Sequence, residues 1–201
     1  MMESTVLFRD FEERDIDFIY KCKNDEKLNS MIVGQFKPFS REDAEKWVHG
    51  CMGEHATYKF WAICTNDDIQ QIIGWASISD IDYTNRSVCY HGLVISPEYS
   101  DGMAWIETNL FVFEYIFEHL KFNRMYGASL LGHPVSNAAE VIFYQSREGV
   151  LREAVFKNGQ YYDLVLSALL RRDYLEHKHN GDYNFSNLVK RIRLYKKGIL
   201  Q

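Results

Sequence analysis

The stretch from residue 88 to residue 117 has the residue types of an anion-binding turn. An apolar run at 88–95 is followed by Pro97 and Gly102, and then by apolar residues at helical spacing. The N–H groups of a helix's first turn lack intrahelical acceptors and lie at the positive end of the helix dipole, so they can bind a phosphate. Gly102 lets the backbone approach such an anion closely. We therefore predict a strand, a glycine turn and a helix that hold a phosphate or pyrophosphate.

Composition and charge restrict the class of protein. The chain of 201 residues suits one domain, and 46% hydrophobic and 15% aromatic residues are enough for a core. A net charge of −5 argues against the broad basic field that binds duplex nucleic acid. No stretch reaches the roughly 18 consecutive apolar residues that cross a bilayer, so we expect no membrane partner. Four scattered cysteines, without a C-x-x-C pair or a signal peptide, predict no metal site and a cytoplasmic location.

Hydrophobic periodicity predicts a chain that alternates between strands and helices. Strands are predicted at 5–11, 58–65, 71–81, 90–96, 123–131, 148–157 and 160–170, and helices at 12–22, at 40–48, after Gly102 and at 134–146. Ser40 and Asp43 predict a capping box, and Asn158-Gly159 predicts a tight hairpin turn. Residues 24–39 are expected to form a loop or a broken helix. Antiparallel strands followed by a strand, helix, strand crossover indicate a mixed α/β sheet.

Three stretches carry a resemblance to a known family. They read ISPEYSDGMA at 95–104, NAAEVIFY at 137–144 and EGVLREAVFKNGQYYDLVLSALLRRDY at 148–174. In sequence and order they are similar to the GNAT family of N-acetyltransferases, nearest to the branch of ribosomal-protein N-terminal and spermidine acetyltransferases. The resemblance implies a GNAT domain at 1–175, with a mixed, mostly antiparallel, splayed sheet of about seven strands and helices on both faces. Residues 176–201 would then form a polar, basic tail that is partly helical.

The GNAT family transfers acetyl from acetyl-CoA to an amine, and the resemblance implies which residues bind that cosubstrate. In the family, the strand before the glycine turn pairs with the pantetheine arm, the following N–H groups hold the pyrophosphate, and an asparagine contacts the pantetheine. The matching residues are Leu93, Val94 and Ile95 on the strand, Asp101, Gly102, Met103, Ala104 and Trp105 in the turn, and Asn137. The turn departs from the family pattern, because Tyr99 replaces a long donor and Asp101 would repel a pyrophosphate.

The resemblance also implies the residues that move protons. Tyr144 matches the family tyrosine that returns a proton to the leaving CoA thiolate, and a phenol suits that role. The alternative for Tyr144 is a half-buried structural tyrosine. Tyr90 stands where relatives often have a glutamate base, which leaves the adjacent His91, on the opposite face of the strand, as the candidate base. A structural histidine at 91, or Asp80 and Asp82 as anchors for a cationic amine, are the alternatives.

The acceptor amine remains open among three classes, which are a protein N-terminus, a polyamine and an amino sugar. Acidic residues at 10–17 and 80–82 favour a cationic acceptor, either a small molecule or a peptide. Five aromatic residues either line an acceptor cleft or pack in the core. These residues are Trp47, Tyr58, Phe60, Trp61 and Trp75.

We therefore predict an acetyl-CoA-dependent N-acetyltransferase in which a neutral primary amine attacks the thioester directly. No covalent enzyme intermediate and no metal are expected. The alternative is a non-catalytic GNAT-like module for CoA binding or assembly, which is motivated by the altered turn, a shortened segment after Tyr144 and the absent glutamate. Basic residues at 190–197 indicate a solvated helix or an oligomer contact, and a homodimer is an alternative to a monomer.

Overall fold

The computed structural model describes residues 4–99 and 102–200, apart from the side chain of His91. Within these residues one sheet of seven strands has the order β1-β2-β3-β4-β5-β7-β6. The strands are β1 Val6–Arg9, β2 Tyr58–Thr65, β3 Ile72–Asp82, β4 Ser87–Ile95, β5 Arg124–Leu130, β6 Ser146–Lys157 and β7 Gln160–Leu170. The helices are α1 Ile16–Lys23, α2 Glu26–Asn29, α3 Arg41–Cys51, α4 Met103–Glu114, α5 Pro134–Ile142, α6 Arg171–His179 and α7 Phe185–Lys196. The predicted mixed α/β sheet of about seven strands is confirmed.

The first of two compact units contains the chain up to Ser30, Phe36–Ile81 and Tyr90–Val112. Strand β1 pairs with β2, and β2 with β3, both antiparallel. Helices α1 and α3 contribute fully buried apolar residues to the core, which also contains residues of β2. Burial of such side chains is the main favourable contribution to folding. The unit therefore has its own core between two helices and three antiparallel strands.

The second unit contains Met31–Gln35, Asp82–Cys89 and the chain from Phe113 onward. Strand β5 runs parallel to β4 over Ser87–Cys89 and antiparallel to β7 along its whole length. The predicted hairpin is present, because β6 and β7 pair across a turn in which Asn158 and Gly159 have φ of 50° and 82°. An Asn-Gly pair tolerates these positive angles. The first half of β4 thus belongs to a parallel pair, which agrees with the predicted strand, helix, strand crossover.

Several helix ends follow from local chemistry. The predicted capping box starts α3, where the Ser40 hydroxyl accepts a hydrogen bond from the Asp43 amide at 3.1 Å and the Asp43 carboxylate accepts one from the Ser40 amide at 3.0 Å. The helix after Gly102 is present and continues into a π-helical turn at Tyr115–His119. The predicted loop at 24–39 contains only the short helix α2.

One sequence prediction was wrong in extent. Helix α5 ends at Ile142 and not at 146, because β6 begins at Ser146 and leaves only three residues for the connection. The C-terminal segment 176–201, expected to be a polar tail that is partly helical, contains the end of α6 and the whole of α7, and Leu188 of α7 is fully buried. No helix in the described ranges is long and apolar enough to cross a membrane.

Candidate active site

The second half of β4 is held tightly against β3 in the first unit. A Cβ atom added to Gly74 of β3 would lie 2.2 Å from the Val94 carbonyl oxygen, so only glycine fits at this position. Beyond the strand, the Ser96 amide donates to the Ile73 carbonyl at 2.8 Å. Leu93, Val94 and Ile95 are each half-buried. The three residues expected to pair with pantetheine therefore lie on β4, and one edge of this strand is already paired with β3.

Helix α4 begins at the predicted glycine turn. Gly102 has a φ of 98°, which side chains other than glycine rarely adopt, and the Ile106 amide donates to its carbonyl at 3.1 Å to start the helix. Ala104 is buried, whereas Met103 and Trp105 are half-buried. Ser100 and Asp101 lie outside the described residues. The predicted order of strand, glycine turn and helix is present, while its role in binding an anion remains a prediction.

A carboxylate on α4 ties the start of this helix to the first strand. The Glu107 carboxylate accepts hydrogen bonds from the amides of Thr5 at 3.0 Å and Val6 at 3.2 Å, and from the Ser4 hydroxyl at 2.7 Å. The Phe8 and Phe111 rings stack with centroids 3.9 Å apart. Sequence reasoning missed Glu107, because its partners lie about a hundred positions earlier in the chain. These contacts orient the helix whose positive end faces the glycine turn.

Helix α5 presents a buried amide oxygen that has no partner among the described residues. His133 caps this helix, since its Nδ1 accepts a hydrogen bond from the Ser136 amide at 3.3 Å, and burial lowers the pKa of His133. Asn137 follows in the first turn, and its amide donates to the His133 carbonyl at 2.9 Å. Its side-chain Oδ1 is buried and accepts no hydrogen bond within the described ranges. Buried acceptors are almost always satisfied, so Asn137 fits a ligand that carries an N–H group.

Tyr144 lies two residues after the end of α5 in a left-handed backbone conformation, with a φ of 59°. Its ring stacks on the His177 imidazole with centroids 3.8 Å apart, and the guanidinium carbon of Arg191 lies 3.8 Å from the ring centre. The structure therefore brings Tyr144 together with the C-terminal helices. Burial raises the pKa of Tyr144, the Arg191 charge lowers it and the Asp182 carboxylate raises it, with a net increase. The phenol therefore stays protonated at neutral pH.

The candidate bases and acids occupy different surroundings. Burial raises the pKa of the Tyr90 phenol, and the His91 side chain lies outside the described part of the structure. Asp80 adopts a φ of 49° and accepts a hydrogen bond from the Ser79 hydroxyl at 3.1 Å. The Asp82 carboxylate accepts a hydrogen bond from the Asn85 amide at 2.8 Å, which lowers the pKa of Asp82. This side chain therefore stabilises the turn that follows β3.

The predicted aromatic set divides between a cavity and the core. Trp47, Tyr58 and Phe60 line a cavity of about 470 Å³ in the first unit. Trp61 and Trp75 are buried core residues, with 4% and 6% of their surface exposed. Three of the five residues therefore line a cavity and the other two pack in the core, while a role of the cavity in acceptor binding remains a prediction.

The four cysteines are free and buried. Burial raises the pKa of Cys22 and Cys64 to about 11 and that of Cys51 to about 12, so these three thiols are weak nucleophiles at neutral pH. Residues 4–99 and 102–200 contain no group of three or more histidine, cysteine, aspartate or glutamate side chains that could hold a metal ion.

The fold and the glycine turn correspond to a known class of acyl-transferring enzyme. Residues 5–139 match the family model described as the acetyltransferase (GNAT) domain. The chain belongs to this family and is an N-acetyltransferase.

Individual relatives are more distant. Spermidine N(1)-acetyltransferase of Vibrio cholerae is 27% identical over 180 residues, which are 87% of this chain and 98% of the relative. The SPbeta prophage-derived uncharacterized N-acetyltransferase YokL of Bacillus subtilis is 26% identical over 157 residues, which are 78% of this chain and 85% of the relative. The crystal structure of spermidine N-acetyltransferase from Vibrio cholerae with CoA and spermine has a TM-score of 0.74 at 22% identity, covering 86% of this chain and 99% of that one.

Proposed function

We propose that this enzyme uses acetyl-CoA and transfers the acetyl group to a primary amine by direct attack, without a covalent enzyme intermediate. The observation that carries the proposal is the sequence of strand, glycine turn and helix at β4 and α4, which lies inside the residues matched by the family model. A related enzyme of Vibrio cholerae was solved with CoA and spermine, which supports both a CoA cosubstrate and a small amine acceptor.

In this proposal the backbone of Leu93–Ile95 pairs with the pantetheine arm as an added strand. The pyrophosphate lies at the positive end of α4, from Asp101 to Trp105, where Gly102 allows close approach. The buried Oδ1 of Asn137 accepts a hydrogen bond from a pantetheine N–H. Each of these residues thus contributes an interaction that the CoA chain, with its amides and phosphates, can satisfy.

The reaction needs a neutral amine and a proton donor for the thiolate. The amine nitrogen bonds to the thioester carbonyl carbon, the carbon to sulfur bond breaks, and the amine loses a proton. We assign His91 as the base that takes this proton and Tyr144 as the acid that protonates the departing sulfur. Because its pKa is raised, the Tyr144 phenol carries its proton at neutral pH and is available as the donor.

We further propose that residues 1–175 form the GNAT domain with the catalytic groups, and that 176–201 are an appended segment that supports it, since His177 and Arg191 contact the Tyr144 ring. The acceptor is a small amine, with a peptide N-terminus as the alternative. Helix α6 spans residue 175, so the appended segment begins within a helix.

Binding of acetyl-CoA to matched glycine variants tests the proposal. Gly102 and Gly159 both have positive φ, at 98° and 82°, and an added Cβ meets no atom within 4 Å at either position. Gly102→Ala and Gly159→Ala therefore impose the same kind of backbone strain at different places. Acetyl-CoA at 100 times its Kd should stabilise the wild type and Gly159→Ala by about 2.7 kcal/mol in thermal unfolding, and should stabilise Gly102→Ala much less. Absence of stabilisation in the wild type would contradict the proposal.

A further inference from the structure

Two buried acceptor atoms on α5 lack a hydrogen-bond donor. The Asn137 Oδ1 and the Glu140 Oε1 are both buried, and neither accepts a hydrogen bond from the residues that the structure describes. Glu140 as a whole is 8% exposed, which is rare for a glutamate. Buried polar atoms in native proteins nearly always have a partner. The two atoms therefore indicate a ligand that donates two hydrogen bonds.

The two residues lie on one face of the helix. Both belong to α5 Pro134–Ile142, which begins at the His133 cap. Because they are three positions apart, their Cβ atoms are about 5 to 6 Å from each other. Glu140 lies about 4.5 Å further along the helix axis than Asn137. The two side chains thus follow one another along one side of α5.

The other oxygen of Glu140 is occupied by Arg147. The guanidinium donates to Oε2 through Nε at 3.2 Å and through Nη2 at 2.8 Å, and Oε1 takes no part in this ion pair. The Arg147 cation therefore already compensates the carboxylate charge. A second cation is not needed for that purpose. The donor that fits Oε1 is consequently a neutral N–H group, in preference to an ammonium group.

The pantetheine arm of CoA carries two neutral N–H groups in a row. The N–H of its β-alanine unit and the N–H of its cysteamine unit are four bonds apart, which is about 5 Å in an extended arm. Because four is an even number, both groups point to the same side of that arm. Their separation is close to the rise of about 4.5 Å between Asn137 and Glu140. The arm thus offers two donors where the helix offers two acceptors.

The order of the groups also agrees. Along the chain, Asn137 is followed by Glu140 and then by Tyr144, which the proposed function assigns to the sulfur. Along the arm, the β-alanine N–H is followed by the cysteamine N–H and then by the sulfur. We propose that the Glu140 Oε1 accepts a hydrogen bond from the cysteamine N–H, while the Asn137 Oδ1 accepts one from the β-alanine N–H. This inference rests on the proposed function and adds Glu140 to the residues that bind the cosubstrate.

An acetyl-CoA analogue with an ester oxygen in place of the cysteamine N–H tests this contact. In calorimetric titration, the wild type should bind the analogue about ten-fold or more weakly than acetyl-CoA, because a hydrogen bond to a charged acceptor is lost. Glu140→Ala should bind acetyl-CoA about ten-fold or more weakly than the wild type does. This variant should bind the two compounds within about three-fold of each other, since the acceptor that distinguishes them is gone.

Arg147→Ala is the matched control. It removes the same ion pair as Glu140→Ala but leaves the Oε1 acceptor in place. Its Kd for acetyl-CoA should stay within about three-fold of the wild-type value, and it should still prefer acetyl-CoA to the ester analogue. A merely structural role of the ion pair would affect both variants alike. The comparison of the two compounds on the wild type needs no variant, so it tests the contact even where a variant does not fold.

The outcomes separate this inference from the proposed function. Equal binding of the two compounds by the wild type, or an undiminished preference in Glu140→Ala, overturns the inference. A raised KM for the amine with an unchanged Kd for acetyl-CoA in Glu140→Ala would assign Oε1 to the acceptor and overturns it as well. In each of these cases acetyl-CoA still binds the wild type and the proposed function stands. Failure of acetyl-CoA to bind the wild type overturns the proposed function itself.

Discussion

The guanidinium carbon of Arg191 lies 3.8 Å from the centre of the Tyr144 ring. The same guanidinium donates to the carbonyl oxygens of Val141 at 2.5 Å and Ile142 at 3.1 Å, the last residues of α5. Carbonyls at a helix end have no intrahelical donor, and a cation there is favourable. One side chain of the last helix therefore ends α5 and covers the tyrosine that follows it.

Replacement of Arg191 should destabilise the protein more than replacement of a neighbouring arginine. Arg191→Ala removes two hydrogen bonds from a charged donor and a cation–π contact, so we expect a loss of about 2 to 4 kcal/mol in the free energy of unfolding. Arg193 lies on the same helix and is exposed. Arg193→Ala should stay within about 0.5 kcal/mol of the wild type in urea unfolding. Equal effects of the two substitutions would contradict the role given to Arg191.

Removal of the Tyr144 hydroxyl should separate catalysis from stability. Tyr144→Phe retains the ring between His177 and Arg191, so the unfolding free energy should change by no more than about 1 kcal/mol. If the phenol protonates the departing thiolate, kcat should fall by about a hundred-fold, with little change in the KM for acetyl-CoA. A variant with wild-type kcat would rule out Tyr144 as the acid.

The close approach of β3 and β4 predicts a large effect at Gly74. Gly74→Ala would place a Cβ 2.2 Å from the Val94 carbonyl oxygen, which the backbone cannot accommodate without moving. We expect Gly74→Ala to lower the free energy of unfolding by about 2 to 3 kcal/mol. It should also weaken acetyl-CoA binding, because the displaced residues include those assigned to pantetheine. Gly149→Ala in β6 is the control, since its Cβ would meet no atom within 4 Å. A Gly74→Ala protein as stable as this control would show that the strands separate freely.

His133 should contribute to the loss of stability in mild acid. Burial lowers the pKa of His133 in the folded state, and its Nδ1 accepts the hydrogen bond that caps α5. The unfolded chain therefore binds the proton more readily, and stability is lost as the pH falls below about 6.5 towards the lower folded pKa. His133→Asn keeps a capping side chain but does not titrate, so its unfolding free energy should fall less between pH 7.5 and 5.5. Parallel pH profiles for the two proteins would contradict this account.

Local patterns predicted the elements better than their long-range contacts. The Ser40 capping box and the Asn158-Gly159 turn depend on neighbouring residues, and both appear where the pattern placed them. The end of α5 before Tyr144 and the contact of that ring with Arg191 depend on residues about fifty positions apart, which no periodicity reports. The Glu107 anchor was missed for the same reason. The aromatic residues were recognised as a set, but only the fold separates the three that line the cavity from the two in the core.

Release of CoA thiol from acetyl-CoA in the presence of a primary amine tests acetyl transfer most directly. The wild type should release thiol at a rate that rises and saturates with amine concentration, and the amine should be recovered as its N-acetyl derivative. Gly102→Ala should lose this activity, whereas Gly159→Ala should retain it. An enzyme that binds acetyl-CoA but releases thiol at the same rate with and without any amine would contradict the account.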